Sequence, residues 1–415
     1  MHHQPIQTVT NNINSENFKQ TYKNIYQQPE LSNKKRKTII EPDPLSKFNE
    51  KFNDADIMNI NNTSLTLNKD GKTYTIRTPS TKLPSPNKPK IEVANQKSLK
   101  EFCIIGNRTI AADKDEDNMT VYKEYQSNIQ DQSRNSSLRS IPGVISFLTD
   151  VLGQEMDHFM EWIANYKLDP PNVPENHHHR HYQKQQQFVS IMKYALIDFH
   201  CNCQSSATFT SHERTAFVEY IIPSLKAMSK VTGLLQYTWC EKQLDSNKFI
   251  QLCHNNYKNA HRKLSDGVGK MNDDQEKMII EVSSGFEKED VKHSLEDTIK
   301  LIEAAINTLL TEMSIYKEAG INTFRNVEIY SIQVIKNRMT MYSTSVFDKK
   351  KWKHVELRSA IVPTSWNDIP LWVKFFELLA TLMIKLKEQQ DVYTQLQQEI
   401  TGLVEVEGET VHDFS

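Results

Sequence analysis

The sequence predicts an α/β protein in which a mixed sheet is flanked by helices, beginning at about Ile141. Segments with apolar residues at helical spacing precede and follow groups of short strand-like runs. Asp266 and Glu281 lie on two such runs, which a short polar turn at 272–276 joins, so we expect neighbouring strands. Only 11 glycines occur in 415 residues, which argues against a loop-rich β protein.

Residues 1–140 are predicted to be a mostly disordered tail. Residues 1–60 show neither strand nor helix periodicity, so they cannot bury enough apolar surface to offset the loss of chain entropy. One β-hairpin is predicted at 64–76, where alternating β-formers flank an Asp-Gly turn. Three features are expected after it: a proline-rich linker at 79–89, a short strand at 102–110 and a solvated acidic loop at 113–117.

The tail is mildly basic and the remainder is mildly acidic. Up to Ser140 there are 21 Lys and Arg against 16 Asp and Glu, a net charge of +5, and the rest of the chain carries −7. This balance gives no support for broad, charge-driven binding of nucleic acid by the folded part. The basic run at 34–37 is either a solvated cluster or a nuclear-import address, and both interpretations stay open.

The rest of the chain divides into three parts. Residues 141–210 are predicted to be a helical extension, with a polar loop at 177–181 and a helix at 185–198, and residues 401–415 a short tail. Residues 211–400 are predicted to be the α/β core. Its expected elements, in order, are a helix at 212–231, a strand at 234–244, a helix at 247–260, strands at 262–271 and 277–283, a helix at 287–317 capped by Gly320, strands at 327–335, 338–347 and 354–362, and a helix at 370–400.

The composition excludes several classes of protein. Five cysteines in 415 residues are too few for a secreted disulfide scaffold, and the first thirty residues hold no apolar signal segment. Charged residues interrupt the most apolar helix, at 371–386, so no membrane span is expected. We therefore expect a soluble intracellular protein. The sequence contains no P-loop, Rossmann glycine pattern, kinase signature or nucleophile elbow.

Asp266 and Glu281 form the candidate site. Three consecutive apolar residues precede Glu281, so its strand is expected to be buried, where a carboxylate is costly unless it is paired or bound to metal. Neighbouring strands would place the two acids side by side. Two convergent carboxylates are the minimal oxygen site for Mg²⁺ or Mn²⁺, which polarises a phosphodiester and generates hydroxide from bound water.

The element order αβββαβ, with Asp266 and Gly267 on the second strand and an apolar run ending in Glu281 on the third, resembles the PD-(D/E)XK nuclease superfamily. The last three strands also resemble expanded, uncharacterised families of early-diverging fungi, and the resemblance covers about 211–363. It implies a restriction-endonuclease-like core, Mg²⁺ as cofactor and DNA or RNA as partner. It also implies that Asp266 and Glu281 are catalytic and metal-binding, with Glu213 as an auxiliary metal-binding acid.

The sequence departs from the superfamily pattern at Ser283, where the motif has a lysine two residues after the acid. That lysine orients the attacking water and stabilises developing negative charge, which a serine cannot do. Lys292, in the next helix, is the candidate catalytic replacement, because this lysine migrates within the superfamily. Lys270 and Lys277 are further substitutes. Without any of them, the core has lost the activity and kept the fold.

A purely structural interpretation of the acids also stays open. Asp266 and Gly267 suit a turn, and Glu281 suits a position beside the following helix, for which Ser283 is a good starting residue. The protein would then be a non-catalytic interaction scaffold built on the same fold.

Two other groups of residues are weaker candidates. The cysteines and histidines at 200–203, 240 and 253–254 lack the paired spacing of a zinc site, so zinc is not expected. The lysine-rich run at 349–353 surrounds Trp352. It is either a loop that grips a phosphate backbone or a solvated hairpin tip.

Overall fold

The computed structural model describes the chain at residues 64–69, 72–77, 90–95, 103–108, 115–168, 175–205, 212–253, 264–271, 274–283, 285–349 and 351–414. It describes the backbone alone for the strands between 64 and 95, for 175–181 and 251–253, and for Lys292. The predictions for 1–60, for the basic run at 34–37 and for the linker at 79–89 lie outside these residues.

A small antiparallel sheet is formed by β1 (Ser64–Lys69), β2 (Lys72–Arg77) and β3 (Lys90–Asn95), in that order. β1 and β2 pair from Ser64↔Arg77 to Lys69↔Lys72, as expected for a hairpin around the Asp-Gly turn, whose own two residues lie outside the description. The sequence pattern does not indicate β3, which pairs with β2 and supplies the third strand that a marginal two-stranded ribbon needs.

The main sheet is mixed and has seven strands. They are β4 (Cys103–Gly106), β5 (Gln236–Gln243), β6 (Leu264–Lys270), β7 (Glu276–Val282), β8 (Ile329–Ile335), β9 (Arg338–Asp348) and β10 (Lys351–Ile361). Their order across the sheet is β4-β10-β9-β8-β7-β6-β5. The pairs β7–β8 and β4–β10 are parallel and the others are antiparallel.

Helices cover this sheet, so the predicted α/β class with a mixed sheet flanked by helices is confirmed. The helices are α1 (Glu116–Arg134), α2 (Ser136–Arg139), α3 (Val144–Leu152), α4 (Met156–Asn165), α5 (Glu175–Gln204), α6 (Glu213–Tyr220), α7 (Ile222–Thr232), α8 (Asp245–Cys253), α9 (Val291–Ile315), α10 (Ile321–Phe324), α11 (Trp372–Ile400) and α12 (Val411–Phe414). A 3₁₀ helix at Trp366–Leu371 leads into α11.

Helix α9 connects the parallel strands β7 and β8 and packs against both of them and against β9. It begins at the N-cap Asp290, whose carboxylate accepts the backbone N–H of His293 at 3.1 Å. Apolar residues at helical spacing, among them Leu295, Ile302 and Leu309, are buried against the sheet. This packing fixes which side of α9 faces the end of β7.

The ordered structure begins further toward the N-terminus than the predicted boundary at residue 140. The acidic cluster at 113–117 is expected to be a loop, yet Asp115 is the N-cap of α1 and accepts the N–H of Asp117 at 3.1 Å. α1 packs on β10 and β4 through Val121 and Tyr125. The sequence signal is weak because acidic residues at a helix start look like a solvated loop, and these two apolar anchors stand among polar neighbours.

The C-terminal tail predicted at 401–415 is also packed where it is described. Val411 and Phe414 of α12 are buried, and Thr410 forms a β-bridge with Gly320. Gly320 is not the C-cap of α9 but the N-cap residue of α10, with φ −68°, and it donates its N–H to Glu399 at 2.9 Å. Two aromatic or branched anchors in a polar segment are too few to give a periodic signal.

Two predicted helices differ in their bounds. The helix expected at 212–231 is two helices that meet at Ile221, because Pro223 lies in the first turn of α7 and could not continue α6 without losing a backbone hydrogen bond. The histidines at 177–181 lie in the first turns of α5 rather than in a loop. Only their backbone is described.

Candidate functional site

The register of β6 and β7 places Asp266 and Glu281 on one face of the sheet. Gly267 pairs with Ile280 and Val268 with Ile279, so Asp266 and Glu281 stand opposite each other one position further along. Residues directly opposite in an antiparallel pair project from the same face. The interpretation of Asp266 and Gly267 as a turn is therefore wrong, since both lie within β6.

Asp266 also forms a hydrogen bond with the backbone at the end of β7. Its Oδ2 accepts the backbone N–H of Val282 at 2.8 Å, beyond the last paired residues of the ladder. Gly267 beside it leaves room for an aromatic ring, because a Cβ there would lie 3.0 Å from the ring of Trp239. The carboxylate is thus held at the point where β7 ends and Ser283 begins the turn toward α9.

Glu281 is buried, with 3% of its surface exposed. Its Oε2 accepts a hydrogen bond from Lys300 Nζ at 2.7 Å, while Oε1 has no hydrogen-bond partner among the described residues. Burial raises the pKa of Glu281 to about 8, with Lys300 opposing the rise and the carboxylate of Asp266 adding to it. This acid therefore has one oxygen available to a ligand.

Lys300, in the third turn of α9, is the lysine that contacts Glu281. The motif spacing in the sequence does not single it out. Lys270 instead pairs with Asp245 and Asp274, both at 3.0 Å, at the other end of β6. Lys277 is fully buried and contacts Glu312 and Tyr393. Neither of these lysines contacts Asp266 or Glu281.

The remaining candidate, Lys292, lies in the first turn of α9, and its side chain is outside the description. A signal for Lys300 is nevertheless present in the sequence. His293, Asp297 and Lys300 recur at i, i+4 and i+7, so they form a polar stripe beside the apolar stripe of the same helix. A polar stripe on a helix that crosses a sheet indicates a site more strongly than one lysine does.

Two more side chains of this stripe line the site. Asp297 is 6% exposed, and its Oδ2 has no hydrogen-bond partner among the described residues. His293 Nδ1 lies 3.6 Å from that oxygen and 3.0 Å from the backbone carbonyl oxygen of Ser283. Burial raises the pKa of Asp297, and the negative charge of Asp266 adds to this rise. The side-chain amide of Gln333 on β8 donates a hydrogen bond to Ser283 Oγ at 3.2 Å.

Glu213, at the start of α6, interacts electrostatically with Asp266, His293 and Asp297. Burial is the main cause that raises the pKa of its carboxyl, and the negative charges of Asp266 and Asp297 raise it further. Asp266 thus interacts electrostatically with Glu213, Glu281 and Asp297, so acids from α6, β6, β7 and α9 converge.

The donor set is of the kind that a hard divalent cation prefers. Carboxylate oxygens of Asp266, Glu281 and Glu213 dominate it, and Glu281 Oε1 is buried without a partner in the described part of the chain. As the side chains stand, no three His, Cys, Asp or Glu residues of the described ranges are close enough together to coordinate one ion. The residue types therefore suit Mg²⁺ or Mn²⁺, although the described side chains as they stand do not form a coordination site.

The weaker candidates are placed elsewhere. Cys103, Cys201, Cys203 and Cys240 are free thiols, and His200 stacks on a phenylalanine ring with its Nε2 3.0 Å from the Met156 carbonyl oxygen. In the lysine-rich run, three side chains are held by acids of this chain. The pairs are Lys349–Glu409, Lys351–Asp117 and Lys353–Glu124. These ion pairs argue against a phosphate grip. The interpretation of the whole run as a solvated hairpin tip is also wrong, because Lys351, Trp352 and Lys353 lie in β10 and Trp352 is buried, whereas Lys349 is exposed at the turn.

Comparisons with family models, curated proteins and solved structures found no match. Within the described ranges, none of the helices combines the length and the apolar character needed to cross a membrane. The fold and the arrangement of side chains are therefore the basis for a functional proposal.

Proposed function

We propose that this protein is a metal-dependent nuclease, which hydrolyses phosphodiester bonds of DNA or RNA at the site around Asp266 and Glu281. The observation that carries the proposal is the hydrogen bond of 2.7 Å from Lys300 to Glu281, because it supplies the cation that Ser283 lacks. The order α7, β5, β6, β7, α9, β8 supports a restriction-endonuclease-like core, with α8 inserted after β5.

The roles of the side chains follow from their positions. Asp266 and Glu281 would hold Mg²⁺ or Mn²⁺, with Glu213, which interacts electrostatically with Asp266, as the auxiliary acid. The bound ion would polarise the phosphodiester and lower the pKa of a bound water. Lys300 lies where its ammonium can stabilise the negative charge that develops on the phosphate oxygens. Ser283 and Gln333 keep the end of β7 in place.

The electrostatics of the site favour a cation. Several carboxylates share a region in which Glu281 and Asp297 are almost fully buried, and Lys300 and His293 oppose their charge from α9. Burial raises the pKa of Glu281 to about 8, and repulsion from Asp266 and Asp297 adds to the rise, so Glu281 keeps a proton near neutral pH. A divalent cation removes the repulsion, so its binding should release that proton.

The test uses the full chain with labelled single- and double-stranded DNA and RNA in Mg²⁺ or Mn²⁺. We expect cleavage by the wild type, a loss of at least about 100-fold in Asp266→Asn and Glu281→Gln, and loss of Mn²⁺ binding by calorimetry in both. Asp274→Asn is the matched control, because Asp274 is exposed at the opposite end of the strand pair and pairs only with Lys270 in the described structure.

The behaviour of the wild-type protein decides whether the nuclease proposal fails. If it neither cleaves any of the four substrates nor binds them in a salt-dependent way, the nuclease proposal fails. The same fold would then serve as the non-catalytic interaction scaffold.

We also propose that the basic run at 34–37 directs the protein to the nucleus, where a nuclease would meet its substrate. Its test is the distribution of a fluorescent fusion of the full chain. Replacing the four residues by alanine should abolish nuclear accumulation, and unchanged accumulation would contradict the proposal.

A further inference from the structure

His293 is held in one tautomer by the backbone. Its Nδ1 lies 3.0 Å from the carbonyl oxygen of Ser283, and a carbonyl oxygen can only accept a hydrogen bond. Nδ1 therefore carries the hydrogen, and the lone pair of the neutral ring is on Nε2. No described residue forms a hydrogen bond with Nε2, and 48% of the side chain is exposed, so this nitrogen is accessible to water.

Asp297 supports the same orientation. Its buried Oδ2 has no hydrogen-bond partner among the described residues and lies 3.6 Å from His293 Nδ1. The carboxylate stabilises the imidazolium that forms when Nε2 takes a proton, as the second member of a His–Asp dyad does. Because the two residues are four apart on α9, the helix itself fixes their spacing.

The other ionisable groups at the site are less suited to accept a proton from water. Lys300 already donates to Glu281, and an ammonium has no lone pair to offer. Glu281 is buried with one oxygen engaged, and Asp266 accepts the backbone N–H of Val282. Glu213 is also partly exposed but is the auxiliary metal-binding acid of the proposed site, so His293 remains as the half-exposed group whose lone pair can take a proton from water.

We propose that His293 is the general base of this site, with Asp297 and the Ser283 carbonyl as its positioning groups. The inference rests on the proposed nuclease function. Nε2 removes a proton from water, the resulting hydroxide oxygen forms a bond to phosphorus, and the bond from phosphorus to the leaving oxygen breaks with its electron pair. The leaving oxygen takes a proton from solvent if it is an alkoxide, and the imidazolium returns its proton to solvent.

The experiment uses the full chain with Mn²⁺ and bis(p-nitrophenyl) phosphate, after cleavage of a nucleic acid by the wild type has been measured. Nitrophenolate leaves without a proton, so a loss of rate reports the base rather than an acid. We expect His293→Ala to lower kcat about 100-fold with KM little changed. Added imidazole should restore the rate in proportion to its concentration. His158→Ala, at an exposed histidine of α4, is the matched control and should behave as wild type.

Each outcome separates the two proposals. If the wild type is active and His293→Ala keeps its kcat, or loses it without rescue by imidazole, the general-base role is wrong and the nuclease proposal stands. If the wild type cleaves nothing, the nuclease proposal fails and the role of His293 fails with it. Thermal unfolding and Mn²⁺ binding that match the wild type exclude a folding defect in the variant.

Discussion

The Lys300 ammonium lies 2.7 Å from the carboxylate of Glu281, although the two residues belong to different elements and are 19 positions apart. The contact joins the end of β7 to the third turn of α9. In the nuclease pattern that we propose for this chain, the lysine stands on the strand itself, at position 283, where this chain has Ser283. The chain thus has a cation beside its buried acid without a lysine in the motif.

Removing this cation should affect activity much more than stability. We expect Lys300→Met to lower cleavage of nucleic acid by roughly 100- to 1000-fold, because a preorganised charge near the phosphate is lost. Without Lys300, Glu281 stays protonated in the folded protein. The free energy of unfolding in urea at pH 6 should therefore change by less than about 1 kcal/mol. Lys300→Arg should retain part of the rate. Equal activity of Lys300→Met and wild type would contradict the role of Lys300.

Glu281 should make the metal-free protein less stable as the pH rises. Its pKa of about 8 in the folded protein is above its ordinary value of 4.5, so the folded state binds the proton more tightly than the unfolded state does. The stabilisation is complete below pH 4.5 and is lost as the pH rises through 8. At about 1.4 kcal/mol per pKa unit, the effect is on the order of 4 kcal/mol.

The measurement is urea unfolding in EDTA between pH 5 and 9 for the wild type, Glu281→Gln and the control Asp274→Asn. The difference between the wild type and Glu281→Gln isolates this one group, since other acids titrate in both proteins. The wild type and the control should lose stability in parallel, and Glu281→Gln should lose clearly less. A Glu281→Gln curve parallel to that of the wild type would show that Glu281 is ionised throughout.

The sequence indicates the strand pair directly, whereas for Lys300 it offers only the polar stripe on α9, and the reason is physical. Apolar runs and a short polar turn specify that β6 and β7 are neighbours, and neighbours joined in this way place Asp266 beside Glu281. The contact with Lys300 depends instead on how α9 lies across the sheet. That angle is set by side-chain packing over many residues, so a periodic pattern cannot give it.

Helices α1 and α12 are not predicted from the sequence, for a different reason. α1 and α12 each contact the rest of the protein through a few buried residues, such as Val121 and Phe414, within polar segments. α1 packs on the sheet and on α11, and α12 packs on α10, so their burial depends on surfaces that other elements provide. Long helices and strands with continuous apolar faces, such as α9 and β8, are predictable because their own residues specify the burial.

A second buried ion pair on the same strand should be structural rather than functional. Lys277 is fully buried and contacts both Glu312 of α9 and Tyr393 of α11, so it ties two helices to β7. Lys277→Met leaves Glu312 as a buried charge without its cation, which should cost about 3–5 kcal/mol in urea unfolding. The double variant with Glu312→Leu should recover most of this. Specific activity of the folded protein should stay unchanged in both, and a loss confined to activity would contradict the assignment.

The segment that contains β4, α1 and α2 should be required for the stability of the domain. Glu377 of α11 is fully buried and accepts the backbone N–H groups of Ser137 at 3.1 Å and Leu138 at 2.9 Å. A chain that begins at Ile141 loses both donors and leaves Glu377 with Arg358, at 3.2 Å. It also removes β4, which pairs with β10.

We therefore expect a chain starting at Ile141 to be less stable than one starting at Glu101 by more than about 3 kcal/mol, since a buried carboxylate loses two charge-assisted hydrogen bonds and a strand edge is uncovered. Urea unfolding of the two chains at pH 7 measures the difference. Glu377→Gln in the longer chain is the control for the carboxylate alone, and it should account for only part of the loss. Equal stability of the two chains would mean that α1, α2 and β4 pack on the domain without stabilising it.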